Sequence, residues 1–310
     1  MDDQPDRRSE LLARREARRR ELRRRRRLAA IAIALGCAAL VAAAAVLLDS
    51  VASDDSHSSP SGSLLPHGGK KEPGHAEEPV RNATPQPDWA PHQGPVPIVE
   101  YHEIGPAPAD APYPELYVTR PDFHRQMDWL ERHGFEAVTL EQVERAWYGD
   151  GTLPPKPVVI SFDDGYRPQF TYALPELRRH GWAGVLNLKA EGSDLYTSNV
   201  EAMIDAGWEL SSHTIDHSDL TTLDAAALRR EVAGSRQILR REYGVPVRDF
   251  CYPAGRYDET VIAAVEAAGY TAATSEVPGY AERDEPYELA RLEILGSTGL
   301  DGLAATLTAG

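Results

Sequence analysis

Two adjacent carboxylates, Asp163 and Asp164, close the run Val158-Val-Ile-Ser-Phe-Asp-Asp-Gly165. Apolar, β-branched residues running into charge and glycine read as a buried strand that ends on a turn. Neighbouring carboxylates at such an end repel one another unless a cation or a proton relieves them. His213 and His217, four residues apart in Ser211-Ser-His-Thr-Ile-Asp-His217, come 49 residues after Asp164 and again just past an apolar segment. Two imidazoles and one carboxylate can hold a single divalent ion and leave positions open for water and substrate. Such an ion brings the pKa of bound water toward ~7 and polarises a carbonyl oxygen. The second carboxylate is then free to take the water's proton. Spacing alone leaves open which aspartate ligates and which accepts. Taken singly, the aspartates fit a solvated turn and the histidines a surface i, i+4 pair; it is their joint placement that favours a metal site.

The intervening sequence supplies the elements to position them. Strands are expected at 96–101, 135–140, 158–162, 183–188, 208–211, 247–252, 271–274 and 289–295. Helices are expected at 120–133, 140–148, 169–180, 198–206, 225–243 and 259–268, with a last turn or two at the end of the chain. Thr119 before Arg-Pro-Asp is a helix N-cap, and Thr139-Leu-Glu-Gln142 has the pattern of a capping box. Strands alternating with helices imply parallel strands joined by crossovers. In barrels of that kind the chemistry gathers at the C-terminal strand ends. Asp163, Asp164, His213, His217 and the turn Pro253-Ala-Gly255 all fall at such ends. Trp182 and Trp208, beside strands, read as packing residues.

The aspartate segment, the histidine segment and Phe250-Cys-Tyr-Pro-Ala-Gly255 together resemble three motifs of the polysaccharide deacetylases, the NodB-homology domain of carbohydrate esterase family four, over roughly 97–306. Tyr101-His-Glu-Ile104 and the form Tyr252-Pro-Ala-Gly-Arg-Tyr-Asp258 are similar to the branch containing poly-N-acetylglucosamine deacetylases. The resemblance implies an α/β fold, a distorted (β/α) barrel with about seven units. It implies Asp163 as general base, with Asp164, His213 and His217 as ligands to zinc or a similar ion (cobalt, nickel, iron or manganese). It implies attack by metal-activated water on the acetamide of an N-acetylglucosamine-containing polysaccharide: peptidoglycan, an exopolysaccharide or a chitin-like polymer. A backbone N–H at Ala254, beside Pro253, would hold the oxyanion, with Arg256 and Arg291 among the substrate-binding residues.

Some positions depart from the family pattern. Many members carry an Arg that orients the base and a Tyr in the third motif, where this chain has Cys251 and Ala254. The acidic fourth motif has no clear counterpart in 275–286. The late Leu-x-His, source of the general acid, aligns with Leu289-Ala-Arg291, and Arg cannot act as an acid near neutral pH. His102, at the end of the first strand, is the substitute donor. Arg291 can also be read as a salt-bridge partner at the rim of the core, and Arg256-Tyr-Asp258 as the start of a helix. Two rival functions share these residues: a non-catalytic glycan-binding protein, and an O-acetyl esterase of the xylan type.

The net charge of −15 conceals an asymmetry. Residues 1–27 hold twelve Arg against six acidic residues, leaving about −21 for the remainder. Residues 28–48 carry no charge, enough to span a bilayer as one helix with the basic head in the cytoplasm. The expected organisation is a basic segment 1–27, a transmembrane anchor 28–48, a disordered linker 49–94 rich in Ser, Pro, Gly, His and Glu, and a catalytic domain 95–310 outside the cytoplasm. Secretion after signal cleavage is the alternative. Cys37 and Cys251, the two cysteines, are not expected to pair. The partners implied are the membrane, through 28–48, and the polysaccharide; nucleic acid is not among them, and no oligomeric state is legible.

Overall fold

The computed structural model describes residues 78–308. The basic head, the apolar stretch 28–48 and the linker up to 77 lie outside the described residues. Among the described residues, no helix is long and apolar enough to cross a membrane.

Seven parallel strands close into a barrel: β1 (Ile98–Tyr101), β5 (Pro157–Asp163), β6 (Val185–Leu188), β7 (Glu209–Ser212), β8 (Asp249–Cys251), β9 (Ala272–Pro278) and β10 (Leu289–Glu293). Pairing of β1 with both β10 and β5 completes the ring. The short strand β4 (Glu136–Val138) pairs with the first residues of β5, and a small parallel pair, β2 (Glu103–Ile104) with β3 (Tyr117–Val118), stands apart. This is the (β/α) barrel expected, with the expected elements found to within a few residues.

Strand periodicity divides the interior. Ile98, Val159, Val185, Ala272 and Leu289 form one apolar cluster with Leu140, Val143 and Trp147 of the helix Leu140–Tyr148, which plugs the floor of the barrel. Two residues further along the strands, on the same face, stand Glu100, Ser161, Asn187, Thr274 and Arg291, all buried and polar. Residues of the opposite parity, such as Val99, Ile160, Phe162, Leu186 and Phe250, pack outward against the helices. Cutting Ile160 back to Ala would cost about 2–5 kcal/mol. The capping box forms as read: Thr139 Oγ1 accepts from Gln142 N, and Thr139 N donates to Gln142 Oε1. Trp182 and Trp208 are core residues, Trp208 stacking on Phe162 at 5.1 Å.

One boundary differs from expectation. Residues 78–94, assigned to the linker, pack on the barrel. Val80 N donates to Ala206 O, Asn82 N to Gly181 O and Asn82 Nδ2 to Ala137 O; Ala90 bridges Leu153, and Trp89 is buried. A few well-spaced anchors hold the segment, and a polar average composition hides them.

Candidate metal centre

The C-terminal ends of the strands carry the site. Asp163 is the last residue of β5 and Asp164 follows it; His213 follows β7, and His217 closes the next turn. Among the described residues, the non-glycines with positive φ are Asp164, Thr214, His217 and Ala254, and all lie in these motif turns. Left-handed backbone at a non-glycine residue costs free energy and persists only where the surroundings impose it. Gly165, also left-handed, has no room for a side chain: a Cβ there would collide with Ser193 Oγ and Leu188 Cδ1.

Asp164 Oδ1 lies 3.8 Å from His213 Nε2 and 3.7 Å from His217 Nε2. Ligands at about 2.0–2.2 Å from a shared tetrahedral ion stand about 3.5 Å apart, so the three fit one cation. His213 Nδ1 lies 2.9 Å from Cys251 O; donation there leaves the Nε2 lone pair free. That Nε2 is buried and has no hydrogen-bond partner, as a metal-ligating nitrogen would be. Burial, followed by the neighbouring His213, pushes the His217 imidazole down to about 4, which keeps it neutral, the form that binds metal. Burial would raise the Asp164 carboxyl, but His213, Lys189, His102 and His217 together hold it below its ordinary value. The turn bearing His217 is braced by buried Glu231, whose Oε2 accepts from Ile215 N at 2.9 Å. Glu231 lies in the π-helical stretch Arg230–Gly234, and such bulges recur at functional sites.

Asp163 sits deeper, 1% exposed. Its Oδ1 accepts from Arg291 Nη1 (2.9 Å) and Asn187 Nδ2 (2.6 Å), and its Oδ2 from Arg291 Nη2 (2.9 Å) and, at 3.4 Å, from the Cys251 thiol. Burial alone would raise this carboxyl; the Arg291 guanidinium, with His213 and His102, holds it well below the usual carboxylate range. Arg291 also lies 3.1 Å from Glu100 Oε1. With two carboxylates on one guanidinium, it is Glu100, wholly buried, whose carboxyl burial pushes well above its ordinary value, the Arg291 charge opposing. The placement of Arg291 among substrate-binding residues is therefore corrected. It is 1% exposed and both its arms are engaged by Asp163 and Glu100, which leaves it no reach to a substrate. Burial raises the Cys251 thiol well above its ordinary value, which fits packing and not nucleophilic chemistry.

His102 is brought beside Asp163 and Glu100, with donor atoms within 4.8 Å of one another, and burial lowers its pKa. Pro253 is buried and Ala254 adopts φ 48°, ψ 32°. Arg256 points outward to Asp219, 2.7 Å away and two residues past His217, tying the two loops together. Asp258 is a helix N-cap, accepting from Thr260 N and Val261 N. Sequence reasoning missed Glu100, Asn187, Lys189 and Glu231. For Glu100 and Asn187 a signal exists: each interrupts an apolar strand, and a buried polar residue must find a partner.

The sequence profile of the polysaccharide deacetylase family matches residues 150–273. A Bacillus subtilis (strain 168) protein assigned to the polysaccharide deacetylases, YxkH, is 30% identical over 214 residues, covering 67% of this chain and 74% of its own. The poly-beta-1,6-N-acetyl-D-glucosamine N-deacetylase of Escherichia coli (strain K12) is 34% identical over 95 residues, 31% of this chain and 14% of that protein. Among solved structures, a Streptococcus pyogenes deacetylase in complex with acetate superposes with a TM-score of 0.64 at 22% identity, over 70% of this chain and 99% of that one, a likeness of fold.

Proposed function

This chain belongs to the polysaccharide deacetylases, hydrolases of acetyl groups on polysaccharides, and on that premise we propose that it is a metal-dependent N-deacetylase of N-acetylglucosamine polymers. The observation that carries the metal is the unpartnered, buried Nε2 of His213, facing Asp164 and His217. The stretch similar to the Escherichia coli enzyme supports a poly-β-1,6-linked substrate. Residues 28–48 would anchor the domain to the outer side of a membrane.

Asp164, His213 and His217 would hold the ion. When bound, a divalent ion lowers the pKa of water and polarises the acetamide carbonyl. Each oxygen of Asp163 accepts one Arg291 N–H; Asn187 fills the rest of Oδ1, whereas Oδ2 has only the weak Cys251 thiol besides, so Oδ2 takes the proton of the attacking water. The guanidinium that fixes Asp163 also makes it a reluctant base, so the proton does not stay there. The amide N–H of Ala254 receives the charge developing on the carbonyl oxygen. As the C–N bond breaks, the proton taken up by Asp163 passes by way of the neighbouring His102 to the departing amine, leaving acetate and a glucosamine unit.

Acetate release from β-1,6-linked N-acetylglucosamine oligomers by the purified protein, with and without chelator, tests this reading. Release that stops with chelator and returns with zinc or cobalt supports it. Acetate from O-acetylated xylan alone would make the protein an esterase, and glycan binding without any acetate would make it a binding protein.

A further inference from the structure

Lys189 directly follows β6, and its ammonium lies 3.5 Å from Asp164 Oδ1. That oxygen is the one facing both imidazoles. Beside it is Tyr166, whose ring centroid is 5.6 Å from Lys189 Nζ. The two aspartates of the motif thus have separate counter-ions, Arg291 for Asp163 and Lys189 for Asp164. Arg291 is buried with both arms bound, whereas the Lys189 side chain is 17% exposed and ends on an unbranched four-carbon stem.

Resting on the metal reading above, we propose that Lys189 is a built-in competitor of the metal: it neutralises Asp164 in the empty protein and must leave Oδ1 when a divalent ion binds. A single carboxylate oxygen cannot serve both without bringing a monovalent and a divalent cation within a few ångströms of each other. At a largely buried site water and salt screen that repulsion poorly. The face of Tyr166 offers the displaced ammonium a nearby seat of favourable electrostatics. Metal uptake is then an exchange of cations, and the affinity of the three ligands is discounted by the cost of moving Lys189.

Titration of zinc and of cobalt into the apo full-length protein tests this, comparing wild type with Lys189→Met, Lys189→Gln and Lys189→Arg. The methionine keeps the stem and adds no oxygen that could itself ligate. Lys189→Met is expected to bind about tenfold more tightly than wild type, with Lys189→Gln following it and Lys189→Arg within about threefold of wild type. The rise in melting temperature on metal addition is expected to be larger in Lys189→Met, since its empty form lacks the counter-ion. Equal or weaker binding in both neutral variants overturns the inference and makes Lys189 a brace that holds Asp164 in its ligating pose. If wild type takes up no ion, the metal reading itself fails and this inference falls with it.

Discussion

Arg291 grips Asp163 with both arms, Nη1 to Oδ1 and Nη2 to Oδ2, each at 2.9 Å. The partners are 128 residues apart, and the fork fixes both position and charge of the carboxylate. Arg291→Lys keeps the charge and loses the fork, so kcat is expected to fall about 10- to 100-fold with KM little changed. Arg291→Met leaves Asp163 buried without its cation and should cost about 3–5 kcal/mol in urea unfolding. Wild-type kcat in the lysine variant would rule out orientation of Asp163 as the role of Arg291.

Ligand and base separate in a second comparison. Asp164→Ala and His213→Ala are expected to lose stoichiometric metal. Asp163→Asn should keep the metal and lose at least about a thousandfold in turnover. Elemental analysis together with acetate release reads both effects, and an active Asp163→Asn would reassign the base.

Glu231 acts on the site through the backbone of the histidine turn. Removing it as Glu231→Ala should weaken metal affinity about 10- to 100-fold, the usual cost of losing an outer support. Unchanged affinity by metal titration would mean that the turn holds its shape unaided.

Stability should depend on pH through the floor of the barrel. Burial pushes the Glu144 carboxyl up to about 7, the Thr271 hydroxyl opposing and the charge of Glu209 adding. The folded protein therefore keeps a proton that the unfolded chain releases near 4.5. The stability this group contributes is fully present below that value and is lost as pH rises through about 7. Glu144→Gln, a stand-in for the neutral acid, should be about 1–2 kcal/mol more stable than wild type at pH 8 and equal to it at pH 4. Urea unfolding at the two pH values checks this, and identical pH slopes for variant and wild type would contradict it.

Much of this is legible in the sequence. The apolar approach to Asp163 and Asp164, the spacing of His213 and His217, and the caps at Thr119 and Thr139 depend on near neighbours in the chain. For Arg291 the sequence supports a salt bridge but not its partners, Asp163 and Glu100, because what it touches is set by the closure of the barrel. Its strand, Leu289-Ala-Arg-Leu-Glu293, nonetheless alternates so that the arginine shares a face with Leu289, and a charge on an inward face demands a partner. Lys189 gave less warning, since a lysine just past a strand usually ends in solvent. Val80 and Trp89 are hidden in a stretch dominated by Ser, Pro and Gly.

The seal formed by residues 78–94 matters to anyone excising the domain. A chain begun at residue 95 would strip the N–H donors from Ala206 O, Gly181 O and Ala137 O and bare the floor where Trp89 lies. Such a fragment should aggregate through that uncovered end while its catalytic rim stays intact, so a poorly behaved truncation would say nothing against the enzyme.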